Sequence, residues 1–148
     1  MCAANTRWIE YSSTASGVAD DGRAQGCKGT RGYSIGIASV GDTFTIGGTT
    51  NKLHISLDGE SGPYITLYSG SNLNARFVAR DITEKMHNLG KADRRWDGAI
   101  CVFENIPTAG NRFKIYSGTL GSASSVTVVS GTDSAHVILG FGTKSEVG

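Results

Sequence analysis

The stretch from Lys52 to Tyr68 restricts the fold more than any other. Leu53, Ile55 and Leu57 alternate with Lys52, His54 and Ser56, the two-residue period of a strand with one face buried. Tyr64 to Tyr68 repeats the pattern, with Ile65 and Leu67 on one face. Asp58-Gly59 through Gly62-Pro63 supplies turn chemistry between them. Two half-buried strands joined this closely pair antiparallel.

Further strand patterns surround this pair. Tyr33, Ile35 and Ile37 alternate with small residues, and Phe44 and Ile46 alternate with threonines before Gly47-Gly48. Ala99 to Phe103 is apolar on both faces and reads as a central strand. Arg112 to Tyr116 and Ser125 to Val129 read as two more strands, and Asp133 caps an expected short helical turn over Ala135 to Leu139. One clear helix interrupts the series. Val78, Ile82, Met86 and Leu89 recur at steps of four, four and three, with Ala75 and Ala79 beside them. Asn72 or Ser71 is the expected cap and Gly90 the expected stop. Asp81–Lys85 and Arg80–Glu84 are spaced as i,i+4 pairs. The expected fold is α+β and mainly β: an antiparallel sheet or sandwich covered by one amphipathic helix, with an extended N-terminal arm.

At 148 residues the chain has the length of one domain. Residues 1–40 form the expected arm, extended or ordered by a partner, because Ser12 to Arg31 holds almost no large apolar residue. Residues 41–148 form the β-rich body. Trp8, Ile9 and Tyr11 make one short strand pattern within the arm and are its candidate partner-contacting residues.

Composition excludes several classes. Charged residues are 18% and the net charge is +1, below the ~25% usual in soluble domains and without the field that draws a chain to nucleic acid or an anionic membrane. No run approaches the ~18 apolar residues of a membrane span. The first residues lack the basic-then-apolar layout of a signal peptide, which points to synthesis in a cytoplasm. Arg94-Arg95-Trp96 joins charge to an aromatic ring, but Asp93 and Asp97 beside it cancel most of the charge, so nucleic acid is disfavoured.

The sequence contains no catalytic constellation. His54, His87 and His136 are far apart and show no zinc spacing. Asp58 and Glu60 sit in a turn, where Asp commonly stabilises the backbone. No phosphate loop and no GxSxG elbow occurs. The reading is non-enzymatic, with no catalytic, cofactor-binding or metal residues and no cofactor. Cys101, in an apolar strand, is read as a core residue. Cys2 and Cys27 lie in the arm and are candidates for an intermolecular disulfide.

A resemblance accompanies these patterns. The run Asn51-Lys52-Leu53-His54-Ile55-Ser56-Leu57-Asp58-Gly59, then Tyr64-Ile65-Thr66-Leu67 and the helix, resembles tailed-bacteriophage virion proteins. Phe113 to Val128 and Val137-Ile138-Leu139-Gly140-Phe141-Gly142 look like the second half of the same pattern, and flagellin-type insert motifs are similar. The likeness covers about residues 42–142. It implies a structural subunit of a phage virion, expected as a capsid decoration or minor capsid (linking) protein stabilising the particle. Other virion proteins would be its partners, in a homo-oligomer with no membrane contact. The alternatives are a neck, collar or tail component, or a carbohydrate-binding attachment module using Trp8, Trp96 and Tyr68. The implied location is the virion, after synthesis in the host cytoplasm.

Overall fold

The computed structural model describes residues 30–131, 134–142 and 145–147. Nine strands are present among them: β1 (Tyr33–Ile35), β2 (Thr43–Ile46), β3 (Lys52–Leu57), β4 (Glu60–Thr66), β5 (Gly70–Asn74), β6 (Ile100–Ile106), β7 (Gly110–Tyr116), β8 (Ser125–Val129) and β9 (Ser145–Val147). The helices are α1 (Ala75–Leu89) and α2 (Arg94–Asp97). Seven strands form one antiparallel sheet in the order β4-β3-β8-β9-β1-β7-β6, and β2 with β5 forms a separate two-stranded sheet. This is the expected α+β, mainly β architecture, an antiparallel sheet covered by an amphipathic helix.

Alternation along each strand decides which face is buried. Leu53, Ile55 and Leu57 of β3, Val126 and Val128 of β8, and Phe113 and Ile115 of β7 all turn into the core. There they meet Val78, Ile82 and Met86 of α1, which are fully buried. Phe44 and Ile46 of β2, Trp96 of α2 and Leu139 and Phe141 of the late turns complete this core. Each large aliphatic or aromatic side chain buried this way contributes roughly 1.5–3 kcal/mol. Leu89, expected in the helical stripe, is partly exposed at the end of α1.

The β3–β4 hairpin turns on Asp58 and Gly59 alone. Both have positive φ, 54° and 80°, and Leu57 pairs with Glu60 across them, the geometry of a two-residue type I′ turn. Gly62-Pro63, expected within the turn, instead lies in β4, where the register shifts between His54 and Ser56. β4 is an edge strand, so Pro63 needs no ladder partner on its outer side.

Five other expectations are corrected. The cap of α1 is Asn74, whose side chain accepts from the Arg76 amide at 2.9 Å; Ser71 and Asn72 belong to β5. Lys91 to Asp97, whose polar composition reads as a link between α1 and the next strand, contains α2, capped by Asp93. β6 is an edge strand rather than a central one, because α1 packs along it and supplies the burial that a second neighbouring strand would have given. The stretch Ala135–Leu139 forms a series of turns, closed by hydrogen bonds from Leu139 to Ala135 and from Phe141 to His136, rather than a helix; its expected cap, Asp133, lies outside the described residues. Asp81 does not pair with Lys85 as expected: its carboxylate accepts from the Tyr68 amide at 2.8 Å.

Candidate functional site

The face of the large sheet opposite α1 is built by register. Ile100, Tyr116 and Tyr33 are aligned across β6, β7 and β1, and Val102, Lys114 and Ile35 form the next row. Their neighbours along the strands, Cys101, Phe113, Ile115 and Ser34, point to the other face and are buried. Two rows of apolar and aromatic side chains therefore look outward. The Tyr33 and Tyr116 rings lie 6.1 Å apart. Lys114 Nζ sits over both, 4.1 Å from the Tyr33 centroid and 4.7 Å from that of Tyr116, a cation–π arrangement that fixes the rings. Burial disfavours the charge on Lys114. The hydrogen bond to Tyr116, helped by Glu104 and Tyr33, more than offsets it and raises the ammonium pKa. Ile100 is 36% exposed, and Ile37, just beyond β1, is 59% exposed.

A second aromatic pair lies near the start of α1. Tyr68 and Phe77 meet edge to face with centroids 5.6 Å apart, and both are exposed. Next to it, a groove runs between α1 and the outer edge of β6. One part, of about 570 Å³, is lined by Asp42, Asn74, Arg76, Phe103 and Asn105, among others. The adjoining part, of about 470 Å³, is lined by Ala79, Thr83, Ile100 and Val102 with Arg76 and Arg80 at its rim.

Several titratable residues are occupied by structural tasks. The Asp58 carboxylate accepts from Ser117 Oγ at 2.9 Å, from the Ser125 amide at 2.8 Å and from Thr119 Oγ1. It ties the β3–β4 turn to the β7–β8 connection. Asp93 holds Arg95 through paired contacts, the shortest 2.6 Å. Those hydrogen bonds keep the Asp93 carboxyl below the usual carboxylate range. Glu60 lies 3.6 Å from the same guanidinium. His54 meets Ser61, His87 meets the Ala99 carbonyl and His136 meets Ser134. Among the described residues no three His, Cys, Asp or Glu side chains are grouped to hold a metal.

Cys101 is a buried free thiol, as expected of a core cysteine, and burial pushes its pKa up. Cys2, Cys27, Trp8, Ile9 and Tyr11 lie outside the described residues. No disulfide is present among the described residues, and both cysteines of the expected crosslink lie outside them. The sequence pointed to none of the outward rows as a unit. Its signal was the two-faced apolarity of Ala99 to Phe103, which reads as double burial and is instead one buried face and one open face.

No family model and no curated protein matches the chain. Solved structures to which the chain is similar include FliD (HAP2) from Pseudomonas aeruginosa PAO1 (19% identity, TM-score 0.47, covering 78% of this chain and 44% of that one). They also include the flagellar cap protein FliD from Bdellovibrio bacteriovorus (8%, 0.45, 72% and 57%). A third is the D2-D3 domains of the flagellar cap protein FliD from Escherichia coli (20%, 0.41, 82% and 66%). The chain spans less than two thirds of each.

These findings correct the expected kinship with tailed-bacteriophage virion proteins: the similar structures are flagellar cap proteins. The expected roles as capsid decoration, minor capsid, neck, collar or tail subunit fall with it, as does the virion location. The order strand, Asp-Gly, strand, helix misled because any hairpin covered by a following helix produces it. Of the three platforms of the carbohydrate-binding alternative, the structure leaves Tyr68 exposed and removes Trp96. Trp96 is buried against Gly62 and Gly90 and offers no platform, and Trp8 lies outside the described residues.

Proposed function

We propose that this chain is a non-catalytic assembly subunit that associates with further copies of itself through the outward face of β1, β7 and β6. The observation that carries this reading is the alignment of Ile100–Tyr116–Tyr33 and Val102–Lys114–Ile35 in two adjacent rows on a face that α1 leaves uncovered. Tyrosines with fixed rings bring large contact area at low entropic cost, and aromatic residues are enriched in protein interfaces. A contiguous apolar patch on a domain surface marks an interaction site. Lys114 keeps the patch soluble while its stem adds apolar area.

Sedimentation equilibrium of the full chain tests this. Concentration-dependent association is expected, and the Ile100→Asp, Val102→Asp double variant weakens it by at least about tenfold, a loss of ~1.4 kcal/mol. Sedimentation as a monomer over the whole micromolar range, or association that the double variant leaves unchanged, overturns the reading.

A further inference from the structure

The outer edge of β6 is closed at one end and open at the other. Phe103 and Asn105 stand opposite Phe113 and Asn111. The carbonyls of Phe113 and Asn111 accept from the Gly36 and Val40 amides, on the β1 side. In an antiparallel ladder that alternation turns the backbone groups of Phe103 and Asn105 away from β7. Cys101 has the same orientation, and there α1 closes the edge. The Cys101 amide donates to Thr83 Oγ1 at 2.9 Å, and the same hydroxyl reaches the Cys101 carbonyl at 3.3 Å. Among the described residues no hydrogen bond meets the outward amides and carbonyls of Phe103 and Asn105.

Charge beside this open half is uncompensated. Arg76 lines both parts of the groove, and its guanidinium makes no hydrogen bond or ion pair among the described residues. α1 has no acidic residue in its first turn, and one turn on from Arg76 stands Arg80, which pairs with Glu84. The two carboxylates that line the groove are engaged elsewhere. Asp42 accepts from Asn111 Nδ2 at 3.0 Å, and Glu104 acts on Lys114. A guanidinium offers five donors and no acceptor, so an oxyanion completes it. The other edge of the sheet, β4, carries Pro63, which removes a ladder donor.

We propose that the open half of β6 takes an extended, acidic segment of a partner protein as an added strand. Its backbone pairs with Phe103 and Asn105, and a Glu or Asp opposite Phe103 turns to the α1 side and meets Arg76. The residues on either side of that acid turn to the outward face beside Val102 and Glu104, where neutral β-branched side chains fit. Main-chain pairing supplies affinity, and Arg76 supplies the preference for an acid. The site does not depend on self-association of the outward face, since Arg76 lies on the opposite side of the sheet.

The test is fluorescence anisotropy of a labelled peptide, Ser-Thr-Val-Glu-Val-Thr-Ser, titrated with the full chain. Because the label is on the peptide, association of copies with one another gives no signal. Saturable binding with a Kd below about 1 mM is expected, and Arg76→Glu weakens it at least about tenfold. A peptide with Lys in place of Glu binds the parent as poorly, and binding returns when it meets the Arg76→Glu chain, which separates docking from misfolding. Asn105→Pro removes an outward amide and leaves the β7 ladder intact, so it also weakens binding on the order of tenfold. Amide shifts on binding are expected at residues 103–106. Absence of saturable binding, affinity indifferent to the charge exchange, or shifts centred on β4 overturns the proposal. Sedimentation of Arg76→Glu is expected to match the parent; self-association lost in that variant would make a second copy the occupant and overturns it as well.

Discussion

Asp58 shows how much a single turn residue carries. Its positive φ and the glycine after it make the hairpin, and this much is legible in the Asp-Gly pair. Its second task is not, because Ser117, Thr119 and Ser125 come some sixty residues later. Asp58→Asn keeps a residue tolerant of positive φ but removes the charge from three hydrogen bonds. Asp58→Ala removes the acceptor as well, and is expected to cost about 2–4 kcal/mol, with the Asn variant in between. Urea unfolding followed by circular dichroism measures both. Equal, negligible losses would show that the Ser117 and Thr119 contacts contribute nothing. Cys101 offers a second residue-scale prediction. Its thiol is buried and its pKa raised, and the thiolate is the reactive form. Peptide mapping after brief iodoacetamide treatment at pH 8 should find Cys101 unmodified in the native protein and fully modified in urea.

Among the elements, the long periodic ones were legible and the short ones were not. The stripe on α1 and the alternation of β3, β7 and β8 reflect burial of whole faces, which leaves a repeated trace in the sequence. β5 leaves none: Gly70-Ser71-Asn72-Leu73-Asn74 looks like a cap region, and its pairing with β2, at Asn74, Leu73 and Gly70, makes it a strand. α2 is one turn long, too short for a period, and its worth lies in Trp96. That indole packs so closely on Gly62 and Gly90 that an added Cβ at either glycine would collide with it. Trp96→Ala should therefore cost about 3–5 kcal/mol. Gly118→Ala should be similarly damaging for a different reason, since its Cβ would strike the Arg94 carbonyl and the Gly98 Cα. Thermal melts of the two variants check this, and a Gly118→Ala protein as stable as the parent would show that the α2 loop yields freely.

At the scale of the whole molecule, the two sheets are unequal. β3 and β7 each have strands on both sides, and their core faces are fully buried. β2 and β5 pair only with each other, through a register shift between Phe44 and Ile46, and are tied to the body by the hydrogen bond the Ala75 amide donates to the Asp42 carbonyl and by their apolar side chains. The order of the sheet, with β1 from early in the chain beside β7 and β9 from its end, could not be read from local patterns, because it is fixed by contacts between segments far apart in sequence. That order predicts a hierarchy of opening. Amides of Ile55, Val126, Val128 and Ile115 should exchange with solvent only through global unfolding. Those linking β2 and β5 should exchange through a local opening at least about 2 kcal/mol less costly. Native-state hydrogen exchange by NMR in a series of low denaturant concentrations measures both. If the β2–β5 amides merged with the slowest set and shared its denaturant dependence, the small sheet and the large one would be a single cooperative unit, and the core they share around Phe44 and Phe113 would be the contact that joins them.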